Sequence, residues 1–592
     1  MAQKFSNADI ANLLRNIAVA YTLKDEKKHR FQIIAYQNAS EAISHSTIEL
    51  QDVYRDKNLE DFPGIGSSIK KYLEELFEKG SVKHFNSLLE TVPKAVFPLL
   101  DVPSFGPKKA ERLVTHFHLS NPKTVLEDIE NLAKNGQIAE IPGFGAKSEQ
   151  DILRALNEYK RGTNKSDRMI LPYAYALSQT ILEYMSKCPE IIEIQPLGSL
   201  RRMVSTIGDI DLAVTTHTSE KVLDHFVSYP GVERVIERGP TTAAILVSGG
   251  KHIDILVLPP ESFGSMLQHF TGSKFHNVTL REYSLKKGYS LSERGIKLLK
   301  EDSKMKTFTD EKSFYNFLGL DYIPPEIRED QGEIEAAKTH KLPNLVELSN
   351  IKGDLHIHSN YPIEPSHDMG QDTMIAHVKK AEELSYAYIG FSEHNPSVMN
   401  HTPEQVIEIL KRRQEFIEQK IKSKFNVRVF NLLELDILAD GSLAIPDKAF
   451  GYLDAVIVSI HSSFSLDKKK MTERIIKGLS HPKAKIFAHP TGRLINKRQG
   501  YQVDWEVLFD FVKTNNKALE INSWPTRLDL PDVLVKQARD RGIKFVVNTD
   551  SHALEHMDNM FYGVSVARRG WCEKKDILNT YPVTKLENWI QE

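Results

Sequence analysis

Apolar residues recur at helical spacing in three early stretches of the chain: Ile69, Leu73 and Leu76; Ala110 and Leu113; Ile152, Leu153 and Leu156. Each stretch follows a similar lead, Phe62-Pro-Gly-Ile-Gly, Val102-Pro-Ser-Phe-Gly and Ile141-Pro-Gly-Phe-Gly. An apolar residue and a proline run into a glycine-bearing turn and then an amphipathic helix. The region therefore reads as a repeated helix, tight turn, helix. From about residue 192 the period changes, and alternating β-branched runs predict strands over 192–197, 208–214, 243–247 and 252–258, with helices over 173–186 and 220–228. This is a mixed α/β unit. Periodicity stops near Tyr322-Ile-Pro-Pro-Glu, and 321–349 reads as an interdomain linker. Beyond it, short apolar strands (388–391, 427–433, 455–460, 485–488, 518–521, 544–547) alternate with helices such as 373–384 and 403–422. Repeated strand-then-helix units predict a barrel with its functional residues at the C-terminal ends of the strands.

A chain of 592 residues exceeds what one hydrophobic core serves, so about three to five domains are expected. With 41% apolar and 26% charged residues it is neither disordered nor fibrous. The two cysteines, Cys188 and Cys572, lie too far apart in sequence for a CxxC site or a disulfide framework, so a metal here must use His and carboxylates. There is no signal pattern at the N-terminus and no apolar run of membrane-spanning length, which predicts a cytoplasmic chain, expected to be a monomer. Lys and Arg number 77 against 79 Asp and Glu, a net charge of -2. A global basic field is missing, so a nucleic-acid partner must be held by local geometry.

Two features supply that geometry and a reaction. The hairpin glycines Gly64, Gly66, Gly106, Gly143 and Gly145 allow a phosphate close to the backbone, where amides at the next helix's start can meet it. Such contacts hold a DNA backbone without reading bases. Further on, Gly208-Asp209-Ile210-Asp211-Leu212 places Asp209 and Asp211 on one face of a strand, and Asp254 interrupts another apolar strand. Like charges on one face call for divalent cations. Gly198-Ser199-Leu-Arg-Arg202 precedes them as a small-residue turn with basic residues suited to a triphosphate. Together these predict nucleotidyl transfer with two Mg²⁺ ions about 3.5–4 Å apart.

These motifs resemble the family X DNA polymerases, the polymerase-beta-like group, over residues 1 to about 320. The resemblance implies a helical helix-hairpin-helix region (1–90 and 91–165), a nucleotidyltransferase palm (166–260) and a thumb (261–320). It implies that Asp209 and Asp211 hold both ions, that Asp254 holds the ion at the primer 3′-hydroxyl, and that Ser199 and Arg202, with Gly208, bind the triphosphate. His269-Phe-Thr-Gly-Ser-Lys-Phe-His-Asn277 resembles the family's nucleotide pocket, which brings in Phe270, Gly272, Asn277 and Arg281; His269 stands where the family has Tyr. The implied substrates are dNTPs on gapped or primer-template DNA. Tyr72 occupies the place of a Schiff-base lysine, six residues after Gly66, so lyase activity is expected to be weak or absent, and Lys70 and Lys71 read as solvated helix charge. The segment 281–306 carries eight basic residues against four acidic ones, a local phosphate-facing patch.

The C-terminal region opens with His356-Ile-His358, two imidazoles on one side of a strand. His394, Glu434, His461, His489, Asp550 and His552 follow, each at an expected strand exit, making eight residues of ligand type in one barrel-like unit. They resemble the polymerase and histidinol phosphatase (PHP) domain, over about 350–585, which implies two or three Mn²⁺ or Zn²⁺ ions and a 3′-5′ exonuclease or related phosphoesterase. The fold class expected is thus multidomain α/β: helix-hairpin-helix, palm and thumb, and a distorted (β/α) barrel of PHP type (350–592). Two departures stand out: Ile363 occupies a position that is acidic in the family, with Glu364, His367 and Asp368 nearby, and Glu393 precedes His394 where the family has Asp. The function expected is a gap-filling DNA polymerase of family X with an appended exonuclease. The rivals are a polymerase whose PHP region is structural or DNA-positioning, and a nucleotidyltransferase for a non-DNA acceptor.

Overall fold

The computed structural model describes residues 5, 7–44, 50, 54, 59, 65–100, 102, 105–160, 168–299 and 305–592. They form two compact units, Met1–Ser166 and Asp167–Glu592. In the first, helices Ser67–Lys79, Pro107–His116 and Ala146–Lys160 follow the three glycine leads. Their apolar stripes (Leu73, Leu76, Leu113, Ile152) close on one core with Leu14 and Ile17 of the helix Asn7–Asp25. Gly66 and Gly106 stand in extended conformation just before their helices, where no side chain caps the first amides, and the space beside each is open. Gly64 lies outside the described residues.

The second unit begins with a five-stranded sheet in the order Glu193–Pro196, Ile210–Thr215, Lys251–Leu258, Thr242–Val247, Val232–Arg238. Ile210–Thr215 and Lys251–Leu258 pair in parallel at its centre, and the other pairs are antiparallel. The strand Val232–Arg238 escapes the sequence pattern because it is an edge strand whose Glu and Arg side chains face water.

Residues 321–349, expected to be a linker, are packed. Ile323, Ile327, Ile334, Ala337 and Leu345 join a core with Phe314 and Trp571. Arg328 is fully buried, donates to Glu311 and to the Ile323 carbonyl, and with Arg201 holds the Glu311 carboxyl down to about 2 against the upward push of burial. Short 3-10 turns and a six-residue helix, Glu333–Lys338, do this burying, and elements so short leave no readable period.

The C-terminal strands are all parallel but form two sheets. Gly353–Ile357, Tyr388–Phe391 and Arg428–Asn431 make one; Glu434–Asp436, Val456–Ser459, Ala484–Phe487, Ala518–Asn522 and Lys544–Asn548 make the other. Isolated bridges, His394 with Glu434 and Ile357 with Ser551, join the two sheets at both seams. The expected barrel is not formed as one closed sheet; the strands make two sheets linked by these bridges. One apolar core runs from the first sheet of this unit into the C-terminal strands, and Tyr175 packs on Phe561 with ring centroids 5.2 Å apart. No helix of the described residues is long and apolar enough to cross a membrane.

Beside the metal-ligand candidates, the buried guanidinium of Arg413 donates to Glu393, to Asn431 and, at 3.0 Å, to the Phe391 carbonyl. Glu393 also accepts from the Ser359 amide and hydroxyl, so it braces the strand end that carries His394. Arg413→Ala strands that carboxylate in the core, and a loss of about 3–5 kcal/mol is expected in denaturant unfolding of the full-length chain; an unchanged midpoint contradicts the bracing role.

Candidate functional site

The structure builds two constellations in the second unit. In the first, Asp211 and Asp254 lie directly opposite each other on neighbouring parallel strands, and Asp209, just before the strand Ile210–Thr215, is near enough to act electrostatically on Asp211. Burial, then Asp209 and Asp254, push the Asp211 carboxyl from 3.8 up to about 7, with His252 partly offsetting them. His252 Nδ1 lies 2.9 Å from an Asp254 oxygen. The trio is not among the sets whose ligand atoms all fall within 4.8 Å of one another. The carboxylate-only donor set fits a hard cation such as Mg²⁺.

The loop before this strand abuts it. Gly198 has φ 57, and a Cβ there would stand 2.8 Å from an Asp211 oxygen, so only glycine lets the Ser199 turn approach the carboxylates. Ser199 sits on the short helix Gly198–Arg201. Arg202 is already engaged: Nε donates to Glu329 at 2.8 Å and Nη1 to the Thr271 carbonyl at 2.8 Å. Gly208 has the Arg168 guanidinium beside it, 3.2 Å from where a Cβ would stand. Phe270 is 38% exposed, with the His269 ring 4.7 Å away. Asn277 is turned inward, donating to the His269 and Gly272 carbonyls and accepting from Gln268, so it braces the pocket wall. Arg281 is exposed on the helix Lys274–Lys286. Tyr72, in the other unit, stacks on His84 at 5.2 Å.

In the second constellation all eight expected residues converge. His356 and His358 leave the strand Gly353–Ile357; His394, His461, His489, Asp550 and His552 follow the C-terminal ends of their strands, and Glu434 opens its own. Glu434, 1% exposed, meets His489 at 2.9 Å, His394 at 3.0 Å, and His356 and His461 at 3.3 Å. Asp550 lies 3.2 Å from His358 and 3.5 Å from His356. Two sets within 4.8 Å are His356, His358, Glu434 and Asp550, and His394, Glu434 and His461. A third unites His358, His394 and His552.

The donor atoms test whether metal ions fit. The buried atoms His356 Nε2, His358 Nε2, His394 Nδ1, His552 Nε2 and Glu434 Oε2 lie close to one another or to carboxylates without a well-aligned hydrogen bond, on residues gathered into shared sets. Buried polar atoms left in this way are rare, and ligation satisfies them. Burial, then His552 and His394, hold the His358 imidazole well below its usual range, in the neutral form that ligates. Glu520 accepts from His356 Nδ1 at 2.7 Å and Asp436 from His461 Nδ1 at 2.7 Å, so each carboxylate turns the other ring nitrogen toward the centre. His489 (φ 29) and Asp550 (φ 56) hold left-handed backbone, strain of a kind that persists at functional sites. An imidazole-rich set suits Mn²⁺ or Zn²⁺.

The structure also bears on the departure at Ile363. Ile363 is buried and Glu364 turns away to His401 at 3.1 Å. Asp368 lies 3.2 Å from His394 and 3.3 Å from His552, while His367 meets Asp436. A cavity of about 210 Å³ opens over these groups, walled by Trp524 and Arg527. Arg527 Nε is 3.8 Å from Asp550. Sequence reasoning did not single out Asp436, Trp524 or Arg527; Asp436 lies two residues from Glu434 on the same strand face, the one signal that pointed to it.

Since the folded Asp211 carboxyl keeps its proton to about pH 7 and an unfolded one releases it near 4, stability falls as pH rises through that window. In EDTA at pH 8, Asp211→Asn is expected to stabilise the chain by roughly 2–4 kcal/mol, shrinking toward zero as pH drops below about 4. Thermal unfolding at both pH values checks this, and a variant less stable than wild type at pH 8 contradicts it.

Residues 5–82 match the helix-hairpin-helix domain family, 97–158 the SAM-like helix-hairpin-helix tandem, and 266–329 the DNA polymerase beta thumb. The chain is 32% identical over 585 residues to the DNA polymerase/3′-5′ exonuclease PolX of Bacillus subtilis (strain 168), covering 98% of this chain and 99% of that one. It is 23% identical to DNA polymerase lambda of Rattus norvegicus over 353 residues, 55% of this chain and 56% of the other. Over 249 residues, 40% of this chain, it is 24% identical to a probable phosphatase of Thermoanaerobacter sp. (strain X514), 94% of which is covered. Hairpins, thumb and a full-length likeness to PolX agree with the carboxylate strands and the His-rich centre: the chain belongs to the family X DNA polymerases, in the bacterial form that carries a PHP-type C-terminal region.

Proposed function

We propose that this protein fills short gaps during DNA repair by template-directed nucleotidyl transfer and trims 3′ ends at its second centre. The register that sets Asp211 opposite Asp254, with Asp209 close enough to raise the Asp211 carboxyl, carries the polymerase reading. Two Mg²⁺ ions held by Asp209 and Asp211, one shared with Asp254, would supply charge neutralisation to the triphosphate and the primer hydroxyl. The chain itself does the rest. Asp254, held by His252, is placed to accept the primer hydroxyl's proton; Ser199 and Arg202 bind the triphosphate; Phe270 packs on the incoming sugar; and Arg281 faces the template side. The glycine turns at 66, 106, 143 and 145 receive backbone phosphates of gapped DNA.

At the second centre, His356, His358, His394, Glu434, His461, His489, Asp550 and His552, with Asp368, would hold two or three Mn²⁺ or Zn²⁺ ions, which lower the pKa of water and polarise a phosphoester. Arg527 at the cavity wall binds the scissile phosphate, and Trp524 offers a face to the terminal nucleotide. The seam between the two α/β regions also supports a structural role for the C-terminal one, since their cores are continuous.

Asp254→Ala is expected to abolish extension of a 5′-labelled primer on gapped template with Mn²⁺ and dNTPs while shortening without dNTPs persists. His461→Ala is expected to do the reverse. Loss of both activities in either variant contradicts two separate centres.

A further inference from the structure

Arg569 is the last residue of the helix Met560–Arg569 in the C-terminal region, yet its guanidinium reaches Arg202 and Glu329. Nη1 donates to the Arg202 carbonyl at 2.8 Å and to Glu329 Oε1 at 2.9 Å, the same oxygen that accepts from Arg202 Nε at 2.8 Å. On its other edge, Nε and Nη2 hold Asp532 at 2.8 and 2.6 Å. All of these groups are removed from solvent: Arg569 is 8% exposed, and the Arg202 and Glu329 side chains 13% and 19%. Burial raises the Glu329 carboxyl, and Arg569 and Arg202 outweigh it and keep it charged.

The consequence is a division of charge. One carboxylate, Glu329, is shared by two guanidinium groups, so Arg202 is oriented without being neutralised and keeps Nη2 for a ligand. Without Arg569, Glu329 would belong to Arg202 alone and compete with an incoming triphosphate, and the Arg202 backbone would lose its anchor. We propose that Arg569 is a positioning residue of the polymerase reaction, aligning Arg202 for the nucleotide through Glu329, so that the PHP-type region completes the dNTP site. This rests on the reading of Arg202 as a triphosphate ligand.

A second arginine gives the control. Arg568 crosses the same seam, 2.7 Å from Glu326 and 3.0 Å from the Val346 carbonyl, with no contact to Arg202 or Glu329. KM and kcat for single-nucleotide insertion on gapped DNA are compared for the full-length wild type and for Arg569→Ala, Arg569→Lys, Arg568→Ala and Arg202→Ala. Arg569→Ala is expected to raise KM for the dNTP about tenfold with kcat within about twofold, Arg569→Lys to fall between it and wild type, and Arg568→Ala to leave KM within about twofold. Arg202→Ala is expected to raise KM at least as much as Arg569→Ala. If Arg202→Ala raises KM and Arg569→Ala does not, the inference is wrong and the reading of Arg202 stands. If Arg202→Ala leaves KM unchanged, that reading fails and the inference with it. If Arg568→Ala matches Arg569→Ala, the seam is merely structural and the proposal is overturned.

Discussion

Glu434 is a buried carboxylate facing five imidazoles, and the C-terminal region is arranged around the cost of keeping it there. An isolated carboxylate in such a place would take up a proton or pull in a counter-charge. Here His394, His461 and His356 outweigh its burial and hold it ionised, while Glu520, Asp550 and Glu434 in turn raise His356 well above its ordinary range. Protons on imidazoles and divalent cations are alternative ways to balance the same charge, so ion binding at this centre is coupled to proton release. Left-handed backbone at His489 and Asp550, and the breaks in the sheet at both seams, aim the donors inward.

The two centres differ in a way that matches their chemistries. The trio Asp209, Asp211 and Asp254 is made of carboxylates alone, with Asp254 37% exposed, a donor set that fits hard cations. The C-terminal centre is mostly imidazole and almost fully buried, which favours tightly resident transition metals. Between them the chain is continuous in packing and in charge: the run Arg202, Glu329, Arg569, Asp532 crosses the seam without a gap. Arg493 then donates to the carbonyls of Arg527 and Leu528, in the loop that walls the second cavity.

Much of this was legible before any coordinates. The alternating runs at 208–214 and 252–258 placed the three aspartates, and the strand exits placed eight ligand candidates, because both depend on local periods of two and on parallel strands ending together. What was hidden depends on long loops and long separations. Asp368 reaches His394 and His552 only through the irregular path of 358–373, so no fixed spacing announced it. Glu329 and Arg569 find Arg202 across 127 and 367 positions. The packed segment 321–349 has its apolar residues on turns and on one six-residue helix, too short for burial to show a period.

The central claim is that the cluster around Glu434 is tolerable because cations share that carboxylate. It is tested most directly by counting tightly held transition-metal ions, by mass spectrometry after dialysis, in the wild type and in Glu434→Gln. Neutral, isosteric glutamine keeps the shape and removes the charge. Glu434→Gln is expected to lose the metal held at both candidate sets that include Glu434; retention of the full wild-type complement would overturn this role for the carboxylate.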